Sequence, residues 1–218
     1  MPAAVIDGKR RQLAALRTLI AEKFPSAGSP AVGRWRTGCG SLDGRGGLSR
    51  GALTEVCGSS GGGQLVLAAV LEMAVREGFF LALIDGADAL EPADWPEEQL
   101  RRLLWVRCGG SQSALKATDL LIRDGNLPVL LLDLQIVPLT QLRRIPVSTW
   151  HRFHRVLEHS ESILLVLTPR PLVEAAPCRR AVRTETARAP WAMPRKLLLE
   201  NLQVRIFERG QTGLQISA

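Results

Sequence analysis

The stretch that decides the fold is ALTEVCGSSGGGQL, residues 52–65, in which an apolar segment runs into a glycine-rich turn. A helical pattern follows from Leu65 to Arg76, so the sequence predicts a strand, a loop and a helix in that order. The glycines have the spacing of a P-loop, G-x-x-x-x-G-K-[ST], whose backbone N–H groups hold phosphate oxygens at a helix N-terminus. The alternative is an ordinary glycine-rich turn that caps a helix.

Two positions of this motif have side chains that do not suit nucleotide chemistry. Gln64 stands where the motif has its lysine, and Leu65 stands where it has the magnesium-binding hydroxyl. Because a charge-assisted hydrogen bond is worth about 1.5 to 3 kcal/mol, both losses together are expected to weaken triphosphate binding by at least about a hundredfold. We therefore predict that Gly58, Gly63, Gln64 and Leu65 form a degenerate cofactor-binding loop that holds no cofactor.

Size and composition indicate one main globular domain. The chain has 218 residues, of which 46% are hydrophobic, and this is ample for a core. No apolar run is long enough to span a bilayer, and the charged N-terminus does not resemble a signal peptide, so we expect a cytoplasmic location. The cysteines form no C-x-x-C pair and are predicted to be reduced thiols without a metal; they are Cys39, Cys57, Cys108 and Cys178.

The net charge favours an anionic partner, with nucleic acid as the first candidate. The formal charge is +7 at pH 7, and the isoelectric point is about 10.0. The excess is nearly all arginine, since the chain has few lysines. A GC-rich genome explains an arginine bias equally well, so charge alone is weak support for DNA binding.

From residue 38 onward, strand and helix patterns alternate. The apolar runs at 129–132 and 163–167 are continuous, as in strands that are buried on both faces. We predict an α/β fold whose mostly parallel sheet has helices on both faces. The predicted strands are 53–57, 80–84, 103–107, 129–134 and 162–168. The predicted helices are 65–76, 97–103, 111–123 and 149–159.

Both ends of the chain depart from this alternation. Residues 6–24 have apolar side chains at helical spacing, which predicts an amphipathic helix that either docks on another subunit or packs on the chain's own core. A short edge strand is predicted at 31–35. After an irregular segment, 169–194, we predict an antiparallel finish to the sheet from three short stretches, 195–200, 202–208 and 213–217.

Four segments follow one another in a characteristic order and register. They are Thr37-Gly38-x-Gly40-Ser41-Leu42-Asp43, Gly47-Leu48-x-x-Gly51-x-Leu53-x-Glu55-Val56-x-Gly58, Arg76-Glu77-Gly78 and Leu83-Ile84-Asp85-Gly86-Ala87-x-Ala89-Leu90-x-Pro92. With these segments the chain resembles the RecA family of recombination ATPases over nearly its whole length. The resemblance implies a RecA-like P-loop core at 37–218 that lacks a C-terminal DNA-binding domain. It also implies that 1–36, the N-terminal helix and strand, dock on a neighbouring subunit or a partner.

The departures from the RecA pattern fall on catalytic positions. Ala87 stands where RecA-like ATPases have the glutamate that activates water, and Thr168 stands where they have the amide that senses the γ-phosphate. Asp133 matches the second acidic nucleotide motif, but one carboxylate without the lysine, hydroxyl and glutamate assembles no metal-triphosphate site. The resemblance therefore implies a pseudoenzyme with no catalytic residues, in which Asp133 is retained to bond loop N–H groups.

Shortened, degenerate RecA-like chains of this kind resemble the ImuA family, also labelled SulA-like or RecA-like. That resemblance implies an adaptor role in SOS mutagenesis by translesion DNA synthesis. The implied partners are RecA filaments, the inactive Y-family polymerase homologue ImuB, the error-prone C-family DNA polymerase and single-stranded DNA. The alternatives are a SulA-like division inhibitor that binds FtsZ, a stand-alone single-stranded DNA-binding protein and an unusual nucleotide-binding protein.

Two groups of side chains are candidate binding surfaces. The segment 169–196 has an excess of five positive charges, and the RecA-family loop at this place enters DNA; a solvated loop without a function is the alternative. The residues predicted to bind DNA or a partner are Arg143, Arg144, Arg170, Arg179, Arg180, Arg183, Arg188, Trp191, Arg195 and Lys196. The residues predicted to dock on RecA are Leu13, Leu16, Leu19, Ile20, Val32 and Trp35.

Overall fold

The computed structural model describes residues 33–58, 62–174, 176, 178–184 and 195–208. These residues form a seven-stranded sheet in the order β3-β2-β4-β5-β1-β6-β7. All neighbouring strands are parallel except β6 and β7, which are antiparallel. The strands are β1 (Ala52–Cys57), β2 (Leu81–Asp85), β3 (Leu103–Arg107), β4 (Val129–Asp133), β5 (Ile163–Thr168), β6 (Cys178–Thr184) and β7 (Leu202–Glu208).

Helices cover both faces of this sheet, as predicted. The first and last helices pack on one face, and the two long helices between them pack on the other. The helices are α1 (Gly62–Glu77), α2 (Glu97–Leu100), α3 (Ser111–Asp124), α4 (Leu139–Leu142), α5 (Val147–Leu157) and α6 (Arg195–Glu200), with short 3-10 turns at Gly44–Gly46 and Pro92–Asp94.

The continuous apolar strands supply two separate cores. In β4, Leu131 belongs to the core beneath α1, whereas Leu130 and Leu132 belong to the core beneath α3 and α5. This division follows from strand geometry, because successive side chains point to opposite faces of the sheet. The prediction of a mostly parallel α/β fold is confirmed.

The carboxyl ends of six parallel strands lie at one edge of the sheet. Cys57 at the end of β1 is in register with Thr168 at the end of β5, and Asp85 is in register with Asp133. Ligands of open α/β sheets bind at this edge, where the loops after the strands converge. The edge therefore holds the glycine-rich loop and the acidic residues that the sequence singled out.

Two predicted elements in the C-terminal part are wrong. Residues 178–184, assigned to an irregular segment, form β6 between β1 and β7. The segment CRRAVRT has few aliphatic side chains, so no strand was predicted there. In the structure both Arg180 and Val182 of this strand are buried. Residues 195–200 form a helix and not a strand, because RKLLLE contains strong helix formers and Asn201 Nδ2 bonds the carbonyl of Leu197 at the helix end. The predicted strand at 202–208 is confirmed, but its antiparallel partner is β6 and not 195–200. Residues 213–217 lie outside the described residues.

Trp35 packs in the chain's own core. It is 9% exposed, its ring meets Phe79 edge-on at 4.5 Å between centroids, and the Arg50 guanidinium lies over it. Its backbone forms an isolated antiparallel bridge with Leu48. In the described part of the predicted edge strand, residues 33–35, this bridge is the only strand pairing. The prediction of Trp35 as a RecA-docking side chain is therefore wrong. The other predicted docking residues lie outside the described residues; they are Leu13, Leu16, Leu19, Ile20 and Val32.

Candidate functional site

The candidate site is the loop between β1 and α1, of which the structure describes residue 58 and residues 62–65; we call these described residues the cradle. Gly58 N–H donates to the Thr168 carbonyl at 3.2 Å, so the loop starts from the junction of β1 and β5. A Cβ on Gly58 would overlap the Val182 carbonyl oxygen of β6. The first glycine is thus required by the close approach of β6, and α1 begins at Gly62 on the far side of the loop.

The side chain of Gln135 spans the two ends of the cradle. A Cβ on Gly63 would overlap the amide group of Gln135, and Gln135 Nε2 lies 3.5 Å from the Gly58 carbonyl oxygen. Gln135 is half-buried and follows β4 by two residues. A neutral amide from the chain itself therefore lies against the first turn of α1, where a P-loop holds phosphate oxygens.

The side chains of Gln64 and Leu65 are not suited to binding phosphate. Leu65 is buried and packs in the core beneath α1 with Val66 and Leu67. Gln64 is half-buried and has no formal charge. Neither side chain supplies the cation or the metal-binding hydroxyl that a triphosphate site uses.

Asp133 is a half-buried carboxyl at the end of β4. Its Oδ1 accepts a hydrogen bond from Gln135 N–H at 2.9 Å, which is the loop N–H bond predicted for it. Burial raises the pKa of Asp133 to about 6, the Gln135 N–H bond lowers it, and the nearby Asp85 charge raises it. Because this pKa still lies below 7, the carboxyl is mostly ionised at neutral pH, and its one hydrogen bond in the described residues goes to the loop after β4.

Asp85 has its lone pairs committed to the loop after β2. Its carboxylate accepts from Ala87, Ala89 and Leu90 N–H groups at 3.3, 2.9 and 2.9 Å, and from Trp105 Nε1 at 3.2 Å. Four donors fix this buried carboxylate as the organiser of the turn. Ala87, at the position of the water-activating glutamate, presents only a methyl group to the edge.

Glu55 is a fully buried carboxylate that belongs to one of the RecA-like segments but was not predicted as a site residue. It accepts from Thr168 Oγ1 at 3.0 Å and from the N–H groups of Leu172 and Val173 at 2.6 and 3.1 Å. Arg179 Nε of β6 pairs with its other oxygen. The Thr168 hydroxyl is thus bonded to the core at the position of the γ-phosphate sensor. A lone acidic residue inside an apolar strand was the available sequence signal.

Some of the arginines that were predicted to bind DNA or a partner are bonded within the fold, and others are exposed. Arg180 is 2% exposed and donates to the carbonyls of Leu42 and Gly47, and burial lowers its pKa. Arg179 holds Glu55, and Arg195 lies 4.2 Å over the Trp95 ring while donating to the Asp94 carbonyl. The prediction that Arg180 contacts DNA is therefore wrong, because its guanidinium is used inside the fold.

The exposed cations of the predicted set are dispersed over the surface. Arg143 and Arg144 follow α4, and Arg170 follows β5, all at the carboxyl edge of the sheet, whereas Lys196 lies on α6. The side chains of Arg183, Arg188 and Trp191 lie outside what the structure describes. In the described ranges no group of three or more His, Cys, Asp or Glu side chains is placed to hold a metal ion. No helix in these ranges is long and apolar enough to cross a bilayer.

Comparison with known proteins agrees with this architecture. Protein RecA of Deinococcus radiodurans is 36% identical over 103 residues, which cover 44% of this chain and 28% of RecA. The crystal structure of the RadB recombinase superposes with a TM-score of 0.54 at 16% identity, covering 68% of this chain and 82% of RadB. The fold is RecA-like. No known protein-family profile matches the chain.

The two comparisons have different reach. The chain spans less than a third of the length of the curated RecA that it matches. At 16% identity, the similarity to RadB shows a shared fold only. The RecA-like core is therefore established for this chain, and any function has to be argued from its own residues.

Proposed function

We propose that this RecA-like chain is a catalytically inactive, cytoplasmic adaptor in SOS-induced translesion DNA synthesis. It joins RecA filaments to a polymerase-homologue partner of the ImuB type and, through that partner, to the error-prone C-family polymerase. The observation that supports this best is the amide of Gln135 lying across the cradle between Gly58 and Gly63. Because the Gln135 amide lies where a P-loop holds phosphate oxygens, we expect this chain to act by docking on partners and not by nucleotide turnover.

The surrounding residues support the same reading. Asp85 and Glu55 accept several hydrogen bonds each inside the fold, and Asp133 accepts the N–H group of Gln135. A metal-triphosphate site needs ionised, accessible carboxylates at these places, together with a lysine and a hydroxyl. In this proposal the carboxylates at the carboxyl edge of the sheet stabilise the fold and do not bind a metal ion.

Binding to RecA filaments is the direct test of the adaptor role. The purified chain should co-sediment with RecA filaments assembled on single-stranded DNA with a non-hydrolysable ATP analogue. Leu16→Glu/Ile20→Glu, which charges the apolar face of the predicted N-terminal helix, should abolish co-sedimentation. The matched control is Ala14→Glu/Thr18→Glu, which adds the same charge on the opposite face and should leave co-sedimentation unchanged.

A cellular readout separates filament binding from adaptor function. A strain whose own gene encodes Leu16→Glu/Ile20→Glu should lose damage-induced mutagenesis, whereas the control variant should retain it. Normal mutagenesis with the apolar-face variant, or co-sedimentation that is the same for both variants, would contradict the proposal. A thermal melt of both variants checks that the core is folded.

A further inference from the structure

A cleft of about 760 Å³ lies apart from the cradle, between the first turn of α3 and the residues that join α4 to α5. Gln141 ties its two walls together, because its Oε1 accepts from Ser111 N–H at 3.2 Å. A Cβ on Gly110 would lie 2.9 Å from this oxygen, and φ of Gly110 is +144°. Glycine at 110 therefore lets the walls approach closely, and the cleft is a defined feature of the fold.

The charged side chains lining this cleft are both basic. They are Lys116 of α3 and Arg144 after α4, and no acidic residue lines it. Within the described part of the chain neither has an ion-pair partner. On the same helix, by contrast, Asp119 pairs with both Arg123 and Arg152. The cleft thus has two uncompensated positive charges that would attract an anionic group.

Exposed apolar side chains concentrate on the same two segments. Of the five large apolar side chains exposed among the described residues, four lie on α3 or between residues 136 and 147. Ile136 is 68% exposed, and Leu120 lies one helical turn from Lys116. Exposed apolar side chains on the segments that border the cleft favour another protein as its partner. The four are Leu120, Ile136, Leu139 and Val147.

We propose that the cleft binds an acidic peptide segment of a partner protein. Carboxylates of the segment pair with Lys116 and Arg144, and its aliphatic side chains contact Leu115 and Ile145 in the lining. Nucleic acid fits less well, because single strands are held by aromatic stacking and no aromatic side chain lines the cleft. The inference deepens the adaptor proposal and rests on it for the existence of a protein partner.

Selection from a phage-displayed library of random short peptides tests this inference on the full chain. Enriched peptides should combine Asp or Glu with Leu or Ile. Binding of the consensus peptide, measured by fluorescence anisotropy, should weaken about tenfold or more in Lys116→Glu/Arg144→Glu, since each tenfold corresponds to about 1.4 kcal/mol. The matched control reverses two exposed arginines at the opposite edge of the sheet; it is Arg101→Glu/Arg155→Glu, and it should bind the peptide normally.

Three results would overturn the inference. They are no enrichment, enrichment of peptides without acidic residues, and peptide binding that the Lys116→Glu/Arg144→Glu variant retains. A labelled oligo-dT probe is measured in parallel, and binding of that probe through the cleft in place of peptide would assign the surface to nucleic acid. The RecA co-sedimentation assay tests the N-terminal helix and not this cleft. Failure of RecA co-sedimentation would therefore contradict the adaptor role, whereas failure of peptide binding would contradict only the role of the cleft.

Discussion

The amide of Gln135 occupies the space beside Gly63, at the first turn of α1, that any other side chain at residue 63 would need. The same amide reaches to 3.5 Å from the carbonyl oxygen of Gly58. Gln135 thereby links the loop after β4 to both ends of the cradle. Its position makes the cradle part of the packed fold.

A double-mutant cycle between these two residues should show coupling. Gly63→Ala forces the Gln135 amide out of its place, so it should destabilise the chain by about 1 kcal/mol; in a Gln135→Ala background it should be neutral or stabilising, because alanine favours the helix. Urea unfolding measures the four free energies. Gly40→Ala, where an added Cβ meets nothing within 4 Å, is the control and should show no coupling to Gln135. Additive effects of Gly63→Ala and Gln135→Ala would contradict the packing.

Asp133 should make the chain less stable as the pH rises. Its folded pKa of about 6 exceeds the ordinary value of 3.8, so proton binding favours the folded state. Wild-type stability should therefore fall by about 2 kcal/mol as the pH rises from about 4 to about 6, and this component should be absent from Asp133→Asn. The measurement is urea unfolding across this pH range. Wild-type stability that does not fall over this range, or that falls equally in Asp133→Asn, would contradict the raised pKa.

Arg179 should be essential for holding β6 against β1. Arg179→Met leaves the fully buried Glu55 carboxylate without its cation and should cost about 3 kcal/mol in the free energy of unfolding. The exposed pair between Arg101 and Glu97 is the comparison, and Arg101→Met should cost less than about 1 kcal/mol. Equal costs for the two variants, measured by urea unfolding, would show that the Glu55 pair is not structurally important.

Arg180 should affect stability and not DNA affinity. Arg180→Met removes the donors to the Leu42 and Gly47 carbonyls, so we expect a loss of about 2 kcal/mol or more in the free energy of unfolding. If single-stranded DNA binds, the slope of its affinity against salt concentration should be the same for this variant and wild type. A flatter slope would return Arg180 to the DNA-binding set.

The sheet was predictable because most of its strands have a recognisable local sequence pattern. Continuous apolar runs such as those in β4 and β5 belong to strands buried on both faces, and their order along the chain predicts parallel pairing. Strand β6 was not predictable, because Arg179 is held by Glu55 and the buried Arg180 by the carbonyls of Leu42 and Gly47. Those partners are more than a hundred residues away along the chain.

The candidate site was predictable in its location and not in its internal contacts. The glycine-rich loop was predicted between a strand and a helix, and it lies between β1 and α1 at the carboxyl edge of the sheet, where Asp133 also lies. The contact between Gln135 and Gly63 depends on the register of β4 beside β5 and β1, so no local pattern predicts it. The helix α6 was misassigned because three successive leucines suit a strand as well as a helix.

Isothermal titration with ATP and magnesium, paired with a turnover assay, tests the central claim most directly. Deinococcus radiodurans RecA run in the same buffers is the positive control. The account predicts no saturable binding heat for this chain and phosphate release at the background rate, because Gln64 and Leu65 replace the lysine and the hydroxyl of the motif and the Gln135 amide lies against the loop. Saturable magnesium-dependent binding of ATP with turnover above background would contradict it.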